Sequence, residues 1–337
     1  MKLLVTGGAG FIGSNFVRYW LAKYPGDYVV NFDVLTYSGN LENLAEIQNN
    51  PRYSFIKGDL RNMADVEAAM SGVDIVVHFA AETHVDRSLF AAGDFITSNI
   101  LGTQILCEAA AKHHVTRFHY ISTDEVYGEL PLNSTQKFTQ DTPFDPRNQY
   151  SASKASAEHF VRAYYHTHHL PITITNCTNN FGPYQHPEKF IPLFITNLLQ
   201  GKKVPIYGDG LNIRDWLYVV DHCRAVDLVI RKGVIGKSYL VGAQHKEISN
   251  LELTHKLLKL LGKDDSSIEF VTDRPAHDHR YAVDWSKIAA LGWQPEHDLD
   301  TWLAATVDWY KTHRDWWQRV KSGDYLKYYD RVYGHRS

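Results

Sequence analysis

Lys2-Leu3-Leu4-Val5-Thr6-Gly7-Gly8-Ala9-Gly10-Phe11-Ile12-Gly13 is the stretch whose reading decides the fold. A short apolar strand runs into a glycine triplet at 7, 10 and 13, and a helical pattern then continues to about Tyr24. Glycines let the backbone turn tightly and approach a pyrophosphate closely. The new helix offers that anion free N–H groups and the positive end of its dipole. Three glycines alone say little; their position between strand and helix carries the reading.

Outward from there, Tyr28–Asp33 reads as a second strand ending in an acid twenty residues after Gly13. A carboxylate at that point accepts hydrogen bonds from ribose hydroxyls and repels a 2′-phosphate, so NAD is expected rather than NADP. A strand-end turn residue is the other reading of Asp33. Tyr53–Ile56 with Gly58-Asp59 predicts a third strand, Asp59 standing where an adenine would lie. Val73–Phe79 predicts a fourth, nearly all apolar as a strand covered on both faces should be. Ala80-Ala81 is small enough for backbone to pass close to a cofactor. Residues 93–114 and 150–169 read as long helices. Strand and helix alternate, which predicts a Rossmann-type, doubly wound parallel sheet.

Phe118–Ile121 leads into Ser122-Thr123-Asp124-Glu125-Val126-Tyr127-Gly128, at the strand edge where open α/β sheets bind ligands. Adjacent carboxylates raise the pKa of one partner, which can leave an acid and a base side by side near neutrality. The stretch also reads as an acidic turn capping a helix start, with Thr123 or Asp124 as N-cap. Tyr150 and Lys154, four apart, share a helix face. An ammonium beside the phenol favours phenolate and makes Tyr150 a base for a hydroxyl proton. An exposed helix face is the alternative for that pair. The order of glycine loop, ribose acid, Ser-Thr, Tyr and Lys is what gives it meaning.

Composition bounds the rest. The 337 residues carry 35 Lys+Arg against 38 Asp+Glu, a net −3, so no strong field points to nucleic acid or a membrane. Cys107, Cys177 and Cys223 are scattered and odd in number, which fits a reducing compartment and excludes a disulfide framework. No secretory leader is read at Met1-Lys2, and no apolar run approaches the roughly 18 residues of a membrane span, so a cytoplasmic location is expected. Eighteen histidines lack the sequence spacing of a metal site, and none is expected.

After residue 178 the texture changes to loops, 179–184 and 187–189, then the turn-rich 204–210 leading to Arg214. Asp215–Val229 returns to helical periodicity and Ser238–Gly242 to a strand. The expected division is therefore 1–178 plus 215–242 as an NAD-binding domain, with 179–214 plus 243–337 as a smaller mixed α/β substrate domain. Arg and Lys scattered over loops, including Arg274 and Arg280, suit a diphosphate; plain surface charge is the alternative. Trp302, Trp309 and Trp316 recur every seven residues and read as a helical face packed into a core.

HFAAETHVDRS from His78, STDEVYG from Ser122, YSASK from Tyr150, TNNFGPYQHPEKFIP from Thr178, YGDGLNIRDW from Tyr207 and RPAHDHRY from Arg274 together resemble the extended short-chain dehydrogenase/reductase family. Within it the chain is similar to the branch that dehydrates hexose nucleotides. The resemblance implies NAD-dependent conversion of dTDP-D-glucose to dTDP-4-dehydro-6-deoxy-D-glucose. Tyr150, assisted by Lys154, takes the C4 hydroxyl proton while hydride passes to NAD, and Thr123 bonds the C4 oxygen. Glu125 then removes the C5 proton, Asp124 protonates the departing C6 hydroxyl, and the hydride returns to C6. The resemblance places Gly7, Gly10, Phe11, Ile12, Gly13, Asp33, Thr36, Asp59, Leu60, Ala80, Ala81, Ser98, Tyr150, Lys154 and Asn180 at the cofactor. It places Thr83, Thr123, Asn179, Lys189, Phe190, Pro205, Tyr207, Arg214, Asn250, Arg274 and His277 at the substrate, and implies a homodimer. Ala276 stands where the family usually has Gly, and Phe181 where it usually has Tyr. A UDP-sugar dehydratase, a UDP-sugar 4-epimerase, a UDP-glucuronate decarboxylase and a non-catalytic NAD-binding protein remain open. The 124–125 pair disfavours the epimerase and the decarboxylase, and the intact Thr-Asp-Glu-Tyr-Lys set disfavours the last.

Overall fold

The computed structural model describes residues 1–243 and 247–322. The first unit is β1 (Lys2–Thr6), α1 (Phe11–Lys23), β2 (Tyr28–Asp33) and β3 (Tyr53–Lys57), followed by α2 (Met63–Ala69) and β4 (Ile75–His78). Short helices α3 (Val85–Ser88) and α4 (Ala92–Phe95) precede α5 (Gly102–Lys112), β5 (Arg117–Thr123), α6 (Gln149–His168) and β6 (Ile172–Cys177). Next come β7 (Asn179–Phe181), α7 (Phe190–Leu199), β8 (Val204–Tyr207), β9 (Ile213–Arg214) and β10 (Trp216–Tyr218). After α8 (Val219–Lys232) and β11 (Lys237–Val241), the chain makes β12 (Ile248–Ser249), α9 (Asn250–Leu261) and β13 (Ile268–Val271). It ends with α10 (Ser286–Ala289), α11 (Leu299–Thr312) and α12 (Arg314–Val320).

Seven strands form one parallel sheet in the order β11-β6-β5-β4-β1-β2-β3. The chain winds outward through β2 and β3, then crosses back to put β4 on the other side of β1. That reversal opens a crevice at the carboxyl ends of β1 and β4. Alternate strand residues face opposite layers. Leu4, Val76, Phe118 and Ile172 pack with Leu106 and Val161 of α5 and α6. Leu3, Val5 and Val77 pack with Phe16 and Trp20 of α1 and Val226 and Ile230 of α8. Beyond the sheet, β7–β10 and β8–β13 pair in parallel and β9–β12 antiparallel. A separate core there joins Phe181, Ile191, Phe194, Ile206, Leu253, Leu303 and Tyr310.

The stretches read as loop at 179–184 and turn-rich at 204–210 contain β7 and β8, and four further expectations need correction. The helix over 93–114 is interrupted, because Ile96–Leu101 is π-helical before α5 begins. The helix expected from Asp215 starts at Val219, since Trp216–Tyr218 pairs with Asn179–Phe181 as strand. The three tryptophans do not share one helix: α11 stops at Thr312 and α12 restarts at Arg314, so Trp316 meets Trp309 edge-on across the break, ring centres 5.2 Å apart. Seven-residue spacing survives a one-residue break, so periodicity could not see it. Lys154 also makes its hydrogen bond to the strand and none to Tyr150, as described below. Of the span expected as nucleotide-sugar domain, 244–246 and 323–337 lie outside the described residues.

Ala276 adopts φ 51°, the left-handed region where a Cβ costs free energy and glycine does not. Its side chain is exposed, so nothing is lost by removing it. Ala276→Gly is expected to stabilise the fold by about 0.5–1 kcal/mol, read as a higher denaturation midpoint at unchanged slope. An unchanged or lower midpoint would show that the loop is not strained.

Candidate active site

A cavity of about 500 Å³ lies along the carboxyl edge of the sheet, from the glycine loop to β5 and β6. Close packing makes the glycines necessary at two points. Gly7 has φ +70°, and a Cβ there would fall 2.6 Å from the Ala80 nitrogen; a Cβ on Gly13 would fall 2.3 Å from the Gly7 carbonyl oxygen. Helix α1 begins after Gly10 with no side-chain cap and no acid in its first turn, so its dipole end is open to an anion. Gly10, Phe11 and Ile12 line the cavity with it.

At the end of β2, the buried Asp33 carboxylate accepts from the Ala9 amide at 3.0 Å and the Leu35 amide at 2.8 Å. Burial pushes its carboxyl up, and these two bonds oppose that. Asp33 thus braces the glycine loop while facing the cavity, so the turn reading and the ligand reading describe one residue. Asp59 is paired with Arg61 at 2.6 Å. Thr36, Leu60, Ala80, Ala81, Ser98 and Asn180 complete the expected cofactor set on the wall.

Where β5 ends, Thr123 is both strand terminus and cap: its Oγ1 accepts from the Glu125 amide at 3.3 Å and starts a 3₁₀ turn over Asp124–Tyr127. The turn drives Asp124 inward. Asp124 is fully buried, its Oδ1 taking a 3.3 Å bond from Thr123, and its Oδ2 has no partner among the described residues. Burial first, then the Glu125 and Asp215 charges, hold its carboxyl well above the ordinary range. Glu125 is less enclosed and is also raised, by burial and Asp278, with Arg274, Lys189 and Arg214 pulling it back. Unequal surroundings therefore separate the two neighbours, with Asp124 the better proton holder.

Helix α6 starts on a capping box between Asn148 and Ser151, which aims Tyr150 and Lys154 at the same cavity. Lys154, expected to lie beside the Tyr150 phenol, makes its hydrogen bond to the strand instead. The Lys154 Nζ donates to the Ile121 carbonyl at 2.6 Å and lies 4.2 Å from the Tyr120 ring centre. The extended lysine stem reaches the strand end instead of turning back one helical turn. Burial lowers its ammonium to about 7, while burial and the Glu125 charge push the Tyr150 phenol well above its usual value.

A smaller chamber of about 170 Å³ adjoins the first, and Thr83, Glu125, Asn179 and Lys189 line both. Phe190, Pro205 and Tyr207 line its wall with Arg214, Asn250, Arg274 and His277. Lys189 donates to the Thr83 carbonyl at 2.8 Å; Arg274 meets Asp86 at 3.3 Å; Arg214 reaches the Asp278 carbonyl at 2.8 Å. His277 is 2.7 Å from Asp273, yet burial leaves it at about 4, neutral at physiological pH. Three cations around one chamber suit an anion such as a diphosphate.

Sequence reasoning assigned no role to Glu188, Asp86 or Arg87, although all three sit inside quoted motifs. Glu188 lines both chambers and meets Arg87 at 2.9 Å. Burial would raise its carboxyl, but His84, His186, Arg87 and Lys189 together bring it to about 2. A buried, charged Glu next to Lys189 was visible as a PEK triplet; its partner at Arg87, 101 residues away, was not. Among the described residues no three metal-ligating side chains cluster, and no helix is long and apolar enough to cross a membrane.

The family model described as GDP-mannose 4,6 dehydratase matches residues 4–306. A dTDP-glucose 4,6-dehydratase of Actinoplanes sp. is 49% identical, the alignment covering 94% of this chain and 100% of that protein. The low-salt glycan biosynthesis protein Agl12 of Haloferax volcanii is 51% identical over 92% of this chain and 98% of its own. Among solved structures, DesIV, a dTDP-glucose 4,6-dehydratase of Streptomyces venezuelae crystallised with NAD and a second ligand, superposes with a TM-score of 0.93 at 48% identity, covering 95% of this chain and 100% of that one.

Proposed function

The chain belongs to the GDP-mannose 4,6 dehydratase family, and from that premise we propose that it is a hydro-lyase converting dTDP-D-glucose to dTDP-4-dehydro-6-deoxy-D-glucose with NAD. The observation that carries the reading is the Asp124–Glu125 pair, one carboxyl buried and proton-holding, the other at the junction of two chambers. Loss of water across C5 and C6 needs an acid and a base on neighbouring carbons. An epimerase inverting one hydroxyl needs neither.

The wall of the large chamber fits a dinucleotide. The uncapped α1 terminus suits a pyrophosphate, Asp33 ends β2 where a ribose is read, and the backbone approach at Gly7 and Ala80 leaves room for a ring. What NAD supplies there is a reversible hydride acceptor, so the reaction is redox-neutral. Tyr150 would accept the C4 hydroxyl proton as its phenolate, a form that the positive charge of a bound NAD would favour against the burial that opposes it, and Thr123 donates to the C4 oxygen. Glu125 takes the C5 proton, and Asp124 protonates the leaving hydroxyl on C6. Lys154 steadies the site as a cation at the end of β5. Lys189, Arg214 and Arg274 hold the diphosphate, with Asn179, Asn250 and His277 beside them.

In this reading residues 1–178 and 215–242 hold NAD, and 179–214 with 243–337 hold the nucleotide sugar. A homodimer through the long helices is supported by Ile96, Leu101 and Phe160, large apolar side chains left exposed there. A cytoplasmic setting is supported by three buried free cysteines.

Incubation with dTDP-glucose and, separately, UDP-glucose checks the reading. The alkaline absorbance of a 4-keto-6-deoxy product is expected with dTDP-glucose, without added NADH. One methyl separates the two bases, worth about 1–3 kcal/mol in a fitted pocket, so roughly 10- to 100-fold discrimination is expected. Product from UDP-glucose alone would reassign the substrate, and simple inversion of a hydroxyl would overturn the reaction type.

A further inference from the structure

Glu158 stands one helical turn beyond Lys154, on the same face of α6, and is fully buried. Its two oxygens are used in different directions. Oε1 accepts from Arg162, at 3.2 Å from Nε and 2.6 Å from Nη2. Oε2 accepts from the Asn176 side-chain amide at 2.9 Å. That amide nitrogen is also 3.4 Å from the Thr123 carbonyl. Both neighbours of the nitrogen are pure acceptors, so the orientation of the Asn176 amide is decided by them. Lys154 meanwhile donates to the Ile121 carbonyl. Two side chains on successive turns of α6 thus hold carbonyls two residues apart at the end of β5, Lys154 directly and Glu158 through Asn176. Thr123, the second of the clamped residues, directly precedes the acid pair. Nothing in the proposed chemistry uses Glu158, and an ordinary core position does not take a buried carboxylate.

We propose that Glu158 is a positioning residue: through Asn176 it fixes the backbone of Thr123, and from one turn along α6 its carboxylate is the counter-charge to Lys154 at the strand end. The proposal rests on the assignment of Thr123 and Lys154 to the site.

The groups around this pair come from every neighbouring element. Lys154 faces the Tyr120 ring from β5, the Cys177 thiol from β6 and His78 from β4, with Tyr150 and Glu158 on its own helix. Burial holds His78 neutral, near 3. Glu158 also faces Tyr127 from the turn after β5, and Arg162 reaches Ser238 of β11 at 3.2 Å. Lys154, Glu158 and Arg162 are the cationic and anionic side chains among these, and the sign follows. Burial lowers the Lys154 ammonium, and Cys177 and then Glu158 raise it, so deleting the Glu158 carboxylate moves Lys154 further down, and deleting the competing Arg162 cation moves it up.

The test is titration of Lys154 itself, by the ¹³Cε shift in lysine-labelled whole protein, its resonance identified by absence in Lys154→Met. Glu158→Gln is expected to lower the midpoint by roughly one pH unit, since an unlike charge one helical turn away is removed. Arg162→Met, at a side chain one-third exposed, is expected to raise it. Because the single glutamine oxygen must serve two donors, turnover in Glu158→Gln falls about tenfold with little change in KM. Asn176→Ala separates the two arms: turnover falls similarly and the Lys154 midpoint stays. Midpoints identical in wild type, Glu158→Gln and Arg162→Met would overturn the proposal. Should Glu158→Gln not fold, Arg162→Met decides alone, an unmoved or lowered midpoint counting against it. Failure of the dehydratase reading would look different: no turnover in wild type, with the Lys154 shifts intact.

Discussion

Glu125→Gln is expected to cut formation of the 4-keto-6-deoxy product by about 10³-fold or more, with cofactor binding and melting temperature near wild type. The size follows from the role: a positioned general base contributes about 10²–10⁴-fold, and glutamine of the same shape cannot accept the proton. The fold should tolerate the change because Glu125 is only partly buried and its carboxyl is already raised by burial and Asp278. The pH dependence has a definite sign. A base must be ionised, so wild-type turnover falls as pH drops through the raised Glu125 pKa, and that limb lies above the ordinary glutamate range. Residual activity in Glu125→Gln should lack it. Turnover within tenfold of wild type would remove Glu125 from the mechanism.

Asp124→Asn is expected to separate two halves of the reaction. Asp124 holds its proton well beyond the ordinary carboxyl range because burial and the Glu125 and Asp215 charges oppose ionisation. Asparagine leaves the C6 hydroxyl without a donor as it departs, so dehydration slows by about 10²-fold. Removal of hydrogen from C4 depends on Tyr150 and Thr123 and continues. Reduced cofactor should therefore accumulate on the enzyme, and solvent deuterium should appear at C5 of recovered sugar. Equal slowing of C4 oxidation and water loss would refute this division of labour.

How much of this was legible beforehand differs by element. β1, the glycine loop and α1 were readable because turn chemistry and a change of period coincide within a dozen residues. The Thr123–Glu125 stretch was readable as a strand-edge acid pair, and equally as a capped turn; the structure makes it both, since Thr123 caps the turn that buries Asp124. The aim of Lys154 was not legible. Helical spacing gives the shared face with Tyr150, but a flexible four-carbon stem chooses its acceptor from tertiary neighbours, here the Ile121 carbonyl. The break at His313 was hidden for a related reason, that the flanking tryptophans keep their spacing across it. Glu188 with Arg87, and Glu158 with Asn176, join residues far apart in the chain or on different elements, which no local pattern encodes.

Asn43 lies in the segment after β2, yet it touches both the glycine loop and the last described helix. Its amide donates to the Ala9 carbonyl in the glycine loop at 2.9 Å, and its oxygen accepts from the indole of Trp316 on α12 at 2.9 Å. The last described helix is thereby stitched to the loop read as the pyrophosphate seat. Chimeras that exchange carboxyl-terminal portions among relatives must therefore inherit positions 43 and 316 as a matched couple, or the seam comes undone at the opposite end from the graft.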